Sequence, residues 1–374
     1  MKVLIAPDKF KGSLTAAEVA HHLETGLLQR GITVDALPLA DGGDGSVAAA
    51  VAAGFRPVEF DVAAATGERH TATIAFDGVT AVVEVANTCG LHTLPPGTLA
   101  PLTASSAGIG DAVRAAAALS ATRIVLALGG SAGTDGGTGL LAVLGAEFRD
   151  EAGRPVTADG GSLCRIHEVD LTGLPDLSHT EIVIATDVQN PLTGPDGAAA
   201  VYGPQKGADP AQVAALDAGL AHLVDRLVEA GRPDAPRLAA MPSAGAAGGL
   251  GFAGLLLGGR AVSGADFFLD LLQFETHLDG CDLVITGEGR IDDQTLHGKL
   301  PAIVARRAAP LPVIAVVGRS DLGDDARRRM GLRAVHAIAD RTDGNPATDA
   351  ALSARLLAEL GQTLPLLSAD GETR

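Results

Sequence analysis

The stretch Leu126–Gly139, LALGGSAGTDGGTG, decides how the rest of the chain is read. It completes the apolar run Arg123–Leu128, short enough for a buried strand, and leads into Leu140–Leu144, which fits one side of a helix. Strand, glycine-rich turn and helix therefore follow one another. Gly129, Gly130, Gly133, Gly136 and Gly137 carry no Cβ, so backbone N–H groups can converge on one point. A helix N-terminus beside such a turn attracts an anion, because unpaired N–H groups and the helix dipole both face it. Asp135 adds the opposite charge, as a phosphate-and-metal site requires; a tight turn with Asp135 as N-cap is the plain alternative.

Other strand ends carry similar acidic, glycine-bearing turns. Lys2–Ala6 (KVLIA) reads as a buried parallel strand ending at Pro7-Asp8. A helix follows, with Ser13 or Thr15 as cap and Glu18 at capping-box spacing from Thr15. Thr33–Leu39 reads as a second strand, ending in DGGDG (Asp41–Gly45) before an Ala/Val-rich helix from Ser46. Cys281–Thr286 leads into GEGRIDD, and Leu311–Val317 and Ala334–Ile338 are further strands. Helices are expected at Lys299–Arg306 and Asp349–Leu360. Five such units suit a flavodoxin-like doubly wound parallel sheet, an α/β fold whose ligands bind beyond the carboxyl ends of the strands.

The middle of the chain has a different rhythm. Arg56–Val62, His70–Phe76 and Thr80–Val85 are spaced closely enough to pair antiparallel. Glu181–Ala185 is another strand, and Ala211–Ala230 an amphipathic helix. Ser243–Arg260 is so rich in glycine that a helix there needs tight packing. The expectation is a discontinuous flavodoxin-like domain of residues 1–56 and 265–374, with a second α/β domain containing a mixed sheet, residues 57–264, inserted into it.

Aromatic residues are only 3 %, with no Trp, so the core must be built from Ala, Val, Leu and Ile. The net charge of −17 argues against nucleic acid and acidic membranes as partners. Cys89, Cys164 and Cys281 lie far apart, which predicts buried filler in a reducing cytosol rather than a disulfide framework. The opening MKVLIAPD reads as a strand rather than a signal peptide, and Leu250–Leu257 is too short to span a bilayer. A cytoplasmic protein is expected, with homo-oligomerisation left open.

The strand-end turns supply the carboxylates Asp8, Asp41, Asp44, Asp135, Asp187, Glu288, Asp292 and Asp293, and the cations Lys9, Lys11, Lys206, Arg290 and Lys299. Carboxylates bind Mg²⁺ through oxygen, while Lys and Arg neutralise phosphoryl oxygens, so the mixture fits phosphoryl transfer. No GxSxG elbow, HExxH pair or Walker A pattern is present, and neither glycine-rich stretch gives GxGxxG with an acidic residue at the right distance. The histidines show no metal-like spacing; His297 reads as a helix-start residue. The long loop through GPDGAAAVYGPQKGADP (Gly194–Pro210) holds Tyr202 and Lys206 among small residues and reads as an ordered site loop.

Taken as a set, the turns resemble the type-1 glycerate kinase family. PDKFKGSL (Pro7–Leu14), ADGGDG (Ala40–Gly45), LGGSAGTDGGTG (Leu128–Gly139), ATDVQNPLTG (Ala185–Gly194), YGPQKGA (Tyr202–Ala208), GAAGGLG (Gly245–Gly251) and LVITGEGRIDDQTLHGK (Leu283–Lys299) occur in the family's order. Lys9 stands where the family commonly has Ser, and Glu84–Leu91 is a looser match. The resemblance implies an ATP- and Mg²⁺-dependent kinase that phosphorylates D-glycerate, with bacterial members generally making 2-phosphoglycerate. It implies a flavodoxin-like domain with an inserted α/β domain and a cleft that closes over the substrates. Under it, Asp187 or Asp8 would orient the hydroxyl or take its proton, with Lys11, Arg290 and Lys299 as the other catalytic groups. Gly129, Gly130, Ser131, Thr134, Gly136, Gly137, Lys206 and Gly287 would hold ATP. Ser13, Asn190, Arg290, Gln294 and Thr295 would hold glycerate, and Asp41, Asp44, Asp135 and Glu288 would hold Mg²⁺. A 3-phosphoglycerate product, another small hydroxy acid as substrate, and a non-catalytic sugar-acid-binding regulator are the alternatives; the last would normally carry a DNA-binding module or basic patch, and the sequence shows neither.

Overall fold

The computed structural model describes residues 1–292, 295 and 298–366 of the 374-residue chain. These form two compact units. The first takes Met1–Asp41, Ala48–Ala53 and the chain from Ala265 onward; the second takes Gly42–Val47 and Gly54–Gly264.

In the first unit, five short apolar runs make one parallel sheet. Its order is Leu332–Ala337, Val313–Val317, Leu283–Gly287, Lys2–Pro7, Thr33–Ala36. Counted along the chain and read from the other edge, this is the flavodoxin-like order 2-1-3-4-5. Val3, Ile5, Leu283, Ile285, Ile314 and Val316 are buried in one cluster with Val19, Leu23 and Leu27 of the helix Ala16–Leu28 and Leu356, Leu357 and Leu360 of the helix Ala350–Thr363. Thr15, not Ser13, caps the first of these helices: its hydroxyl accepts from Glu18 N at 3.2 Å while Glu18 accepts from Thr15 N at 2.8 Å. Ser13 instead donates to Phe10 O at 3.2 Å.

Two strands are shorter than expected. Thr33–Ala36 ends as a regular strand at Ala36, although Leu37 N and Leu39 N still donate to Ile5 O and Pro7 O on either side of Pro38, whose missing N–H falls on the open edge of the sheet. Val313–Val317 begins after Pro312, which has no N–H to give. The helix Asp324–Arg329 was not foreseen; only Ala326 is buried in DDARRR, so no apolar periodicity marks it.

The second unit holds a six-stranded mixed sheet, ordered Arg260–Val262, Glu181–Ala185, Arg123–Ala127, Thr80–Glu84, Arg69–Phe76, Arg56–Ala63. The first four are mutually parallel, Arg69–Phe76 runs against them and Arg56–Ala63 runs back again, so Thr80–Glu84 is the strand at which pairing changes from parallel to antiparallel. Arg260–Val262 and the small hairpin of Glu147–Arg149 with Glu168–Asp170 are three-residue strands, too short for alternation to reveal. The glycine-rich segment yields the helix Leu250–Leu256, buried at every position. It depends on close approach, since a Cβ on Gly251 would lie 1.9 Å from Ser243 O. The loop through Lys206 is itself folded into the helix Ala198–Tyr202 and a turn at Pro204–Lys206. Cys89 and Cys281 are buried, but Cys164 is exposed, which corrects the expectation for that residue. Among the described residues no helix is long and apolar enough to cross a membrane.

The two helices of the first unit touch backbone to backbone at Gly26, where a Cβ would meet Ala358 O at 2.2 Å. Gly26→Ala is expected to cost about 1–3 kcal/mol through overpacking. Gly323→Ala, at an ordinary φ of −76° with nothing within 4 Å, should change stability far less in the same urea titration.

Candidate functional site

In the first unit the polar turns meet where the sheet order predicts. Asp8 follows Lys2–Pro7 and Glu288 follows the neighbouring strand Leu283–Gly287; Asp8 N donates to Gly287 O at 2.8 Å, which ties the two turns together. On its other side Gly287 lets the strand Val313–Val317 close in, because a Cβ there would lie 2.1 Å from Val316 O. Asp8 accepts from Lys9 N at 2.7 Å, and the Lys9 ammonium lies 3.4 Å from Asp8 and 4.0 Å from Asp41. Lys9 thus stands between two carboxylates.

Two of these carboxyls titrate near neutrality. Burial, reinforced by the Asp41 charge, pushes Asp8 up to about 7 against the pull of Lys9. Burial also pushes Glu288 up to about 7, aided by Asp8 and Asp292 and opposed by the Thr295 hydrogen bond and the Lys299 charge. Such groups can take or give a proton at physiological pH. Buried Thr295 donates to Glu288 Oε1 at 2.8 Å. Lys299 lies 3.5 Å from Asp292, and Arg290, largely exposed, lies 2.7 Å from Asp321. Lys11 is exposed on a turn closed by mutual Phe10 and Leu14 backbone bonds. This unit therefore brings together Asp8, Asp41, Glu288, Thr295 and Lys299. Gln294 lies outside the described residues, as do Asp293 and His297.

In the second unit the turns gather at the ends of Thr80–Glu84, Arg123–Ala127 and Glu181–Ala185. Gly129 N donates to Gly42 O at 3.2 Å, and a Cβ on Gly129 would lie 2.4 Å from Gly43 Cα. The turn Gly42–Val47 thus packs against the 129–137 loop. Asp44 on that turn is 47 % exposed, with His92 Nε2 at 3.9 Å.

Several residues expected at the site are instead used by the loop itself. Asp135 is 1 % exposed and accepts from Ser106 N, the Ser106 hydroxyl, Gly137 N and Gly139 N, at 2.7–3.2 Å. Burial raises its pKa while those four bonds oppose the shift. Both oxygens of this carboxylate are thus engaged by donors of the loop and of Ser106. Lys206, 2 % exposed, donates to the Ser131 hydroxyl at 2.8 Å and to Gly133 O. Its ammonium is pushed down to about 8 by burial, and it braces the loop from inside rather than reaching toward a phosphate. Ser131 is consumed in the same contact. Gly130, Gly136 and Gly137 hold φ of +75°, +66° and +76°, as a turn of this kind needs. The Thr134 hydroxyl oxygen is buried with no hydrogen-bond partner among the described residues. Asn190 is spent within its own loop, donating to Asp196 O at 2.8 Å and accepting from Tyr202 at 2.7 Å. Asp187 is exposed and accepts from the Ser263 hydroxyl and Gly264 N at 3.0 and 2.9 Å.

Among the described residues, no three His, Cys, Asp or Glu side chains stand close enough to hold a metal ion by themselves. Mg²⁺ is usually held by one or two carboxylates together with substrate phosphates and water, so a carboxylate such as Asp41 fits it without a three-residue cluster. Glu84 is the residue that sequence reasoning missed: it ends the run TAVVE as a buried carboxylate. A lone charge closing an apolar strand was its one signal.

A doubly wound sheet with acidic strand-end turns, joined to a mixed-sheet unit with a glycine-rich loop, is the architecture of an α/β phosphotransferase. The glycerate kinase family model matches residues 3–364, and the chain belongs to that family. It is 40 % identical over 351 residues to glycerate 2-kinase of Escherichia coli strain K12, covering 90 % of each chain, and 40 % identical over 347 residues to glycerate kinase of Bacillus subtilis strain 168, again 90 % of each. Among solved structures, a candidate glycerate kinase 2 from Salmonella typhimurium LT2 is similar, with a TM-score of 0.76 at 38 % identity, over 97 % of this chain and 100 % of that one.

The raised carboxyls carry a stability signature. The Asp8 carboxyl loses its proton at about 3.8 when unfolded and at about 7 when folded, so stability is lost as pH climbs through that window. Asp8→Asn should raise the melting temperature relative to the parent at pH 8, and the gain should vanish toward pH 4. An equal gain at both pH values would contradict the burial of this charge.

Proposed function

We propose that the protein transfers the γ-phosphoryl group of ATP, with Mg²⁺, to D-glycerate, giving 2-phosphoglycerate. Family membership supports the reaction class, and the name of the E. coli relative favours the 2-position. The observation that carries the chemistry is the pair Asp8 and Glu288, two carboxyls on adjacent strand ends that titrate near 7. In-line phosphoryl transfer needs a hydroxyl oriented and relieved of its proton, with negative charge neutralised around it. Asp8 is the proposed acceptor of that proton. Lys299, Arg290 and Lys11 are the proposed partners of the glycerate carboxylate, with Ser13, Gln294 and Thr295 ordering the substrate. Asp41 and Glu288 are the proposed Mg²⁺ carboxylates; the ion would supply charge neutralisation at the phosphates. Backbone N–H groups of Gly129–Gly137 are proposed to face phosphate, with Asp135, Lys206 and Ser131 holding that loop in shape.

Incubating the protein with ATP and D-glycerate, with and without Mg²⁺, and identifying the product by ³¹P NMR tests the assignment. Metal-dependent 2-phosphoglycerate is expected. 3-Phosphoglycerate would overturn the regiochemistry alone, and no transfer by folded protein would overturn the substrate. Asp8→Asn should lower kcat by at least about 100-fold if Asp8 takes the proton.

A further inference from the structure

Thr80–Glu84 is the strand at which pairing in the mixed sheet changes from parallel to antiparallel, and it ends on a carboxylate that is 3 % exposed. Burying such a charge is costly unless donors surround it. Glu84 Oε1 accepts from Gly45 N at 3.1 Å, and Oε2 accepts from Val47 N at 2.9 Å. Between these amides, Ser46 closes the turn on itself: its hydroxyl donates to Gly43 O at 2.7 Å, and its amide to the same oxygen at 3.3 Å. The other side of the turn has no room to shift, since a Cβ on Gly42 would lie 2.5 Å from Ala185 O. Gly42 and Gly45 hold φ of +83° and +95°, so the path through Asp44 is set by residues that only this fixed geometry requires. The one side chain left substantially in solvent on this clamped turn is the Asp44 carboxylate, 47 % exposed.

We infer that Glu84 is a positioning residue, which touches neither substrate nor nucleotide but holds the Asp44 carboxylate in one place for phosphoryl transfer. The inference rests on the kinase reading above. Charge-assisted bonds to backbone N–H groups are the strong class of hydrogen bond, and two of them placed two residues apart fix a turn's direction as well as its location. A reacting or charge-neutralising group misplaced by an ångström loses much of its effect. Glu84→Gln keeps the shape but turns one acceptor into a donor facing an amide.

A double-mutant cycle separates positioning from plain stabilisation. In phosphoryl transfer from ATP to D-glycerate, Glu84→Gln and Asp44→Asn should each lower kcat at least tenfold, with KM for D-glycerate changed less than threefold. The double variant should be no slower than Asp44→Asn alone, within a factor of two, because Glu84 acts through Asp44. Backbone amide exchange at Gly45 and Val47 should accelerate at least tenfold in Glu84→Gln, whatever the activity. Multiplying losses in the double variant, or full activity in either single variant, would overturn the inference. If Glu84→Gln does not fold, Glu84→Asp, which keeps the charge and shortens the reach, should show the same non-additivity; independent losses there would overturn it equally. A parent protein that exchanges normally yet transfers nothing to D-glycerate would overturn the kinase reading, a result distinct from any of these.

Discussion

The fully buried carboxylate of Asp135 governs the second unit. A charge with 1 % exposure must be met by donors on all sides, and four supply the need: two on Ser106 and the amides of Gly137 and Gly139. The demand propagates. Ser106 is brought to the loop and in turn accepts from Leu140 N at 3.0 Å, joining the start of the helix Ala107–Ala118 to the start of Thr138–Leu144. Gly139 can have no side chain there, because a Cβ would lie 2.4 Å from the Ser105 hydroxyl. Gly137 meets Ala253 at 2.3 Å in the same way, which draws in the buried helix Leu250–Leu256. Lys206 then braces the loop's other limb. The glycine content that first suggests a ligand cradle is thus also a packing requirement.

The first unit meets charge differently. It does not enclose its carboxylates with backbone donors but crowds them at the ends of adjacent strands and leaves them partly solvated. Burial holds Asp8 and Glu288 above the usual carboxylate range even though Lys9 and Lys299 lie close by. The cost of that crowding is a local loss of stability above neutral pH, and the return is a set of groups whose protonation can change during a reaction. Asp135 and Asp8 are the two cases in one chain: one carboxylate met by four donors of its own unit, the other set beside further carboxylates and a lysine.

Most of the architecture was legible because the strands are short apolar runs ended by Pro, Gly or Asp. KVLIA, EIVIA and RIVLA became strands nearly as read, and the capping box at Thr15 and Glu18 formed as spaced. The unseen elements were those without periodicity, such as Arg260–Val262 and Asp324–Arg329. The site was less legible, because a turn sequence names its polar residues without saying which way they face. Asp135 and Asp8 are both acidic residues in strand-end turns, yet one faces inward to four donors and the other toward further carboxylates. Lys206 looked like a lone cation for phosphate and proved to be an internal brace, since only the three-dimensional path shows Ser131 and Gly133 beneath it. Glu84 was hidden by lying in a strand rather than in a turn.

The central strand of the parallel sheet, Leu283–Gly287, lies between Lys2–Pro7, from the beginning of the chain, and Val313–Val317, from near its end. During synthesis on a ribosome, Lys2–Pro7 can pair with Thr33–Ala36 at once but must wait for just over three-quarters of the chain to emerge before its other edge is covered. An apolar strand edge left open that long is an invitation to wrong partners. The long intervening segment Gly54–Gly264 has nearly all of its sheet partners within itself and can fold while the first unit waits. The topology thus allows the middle of the chain to settle before its two ends meet.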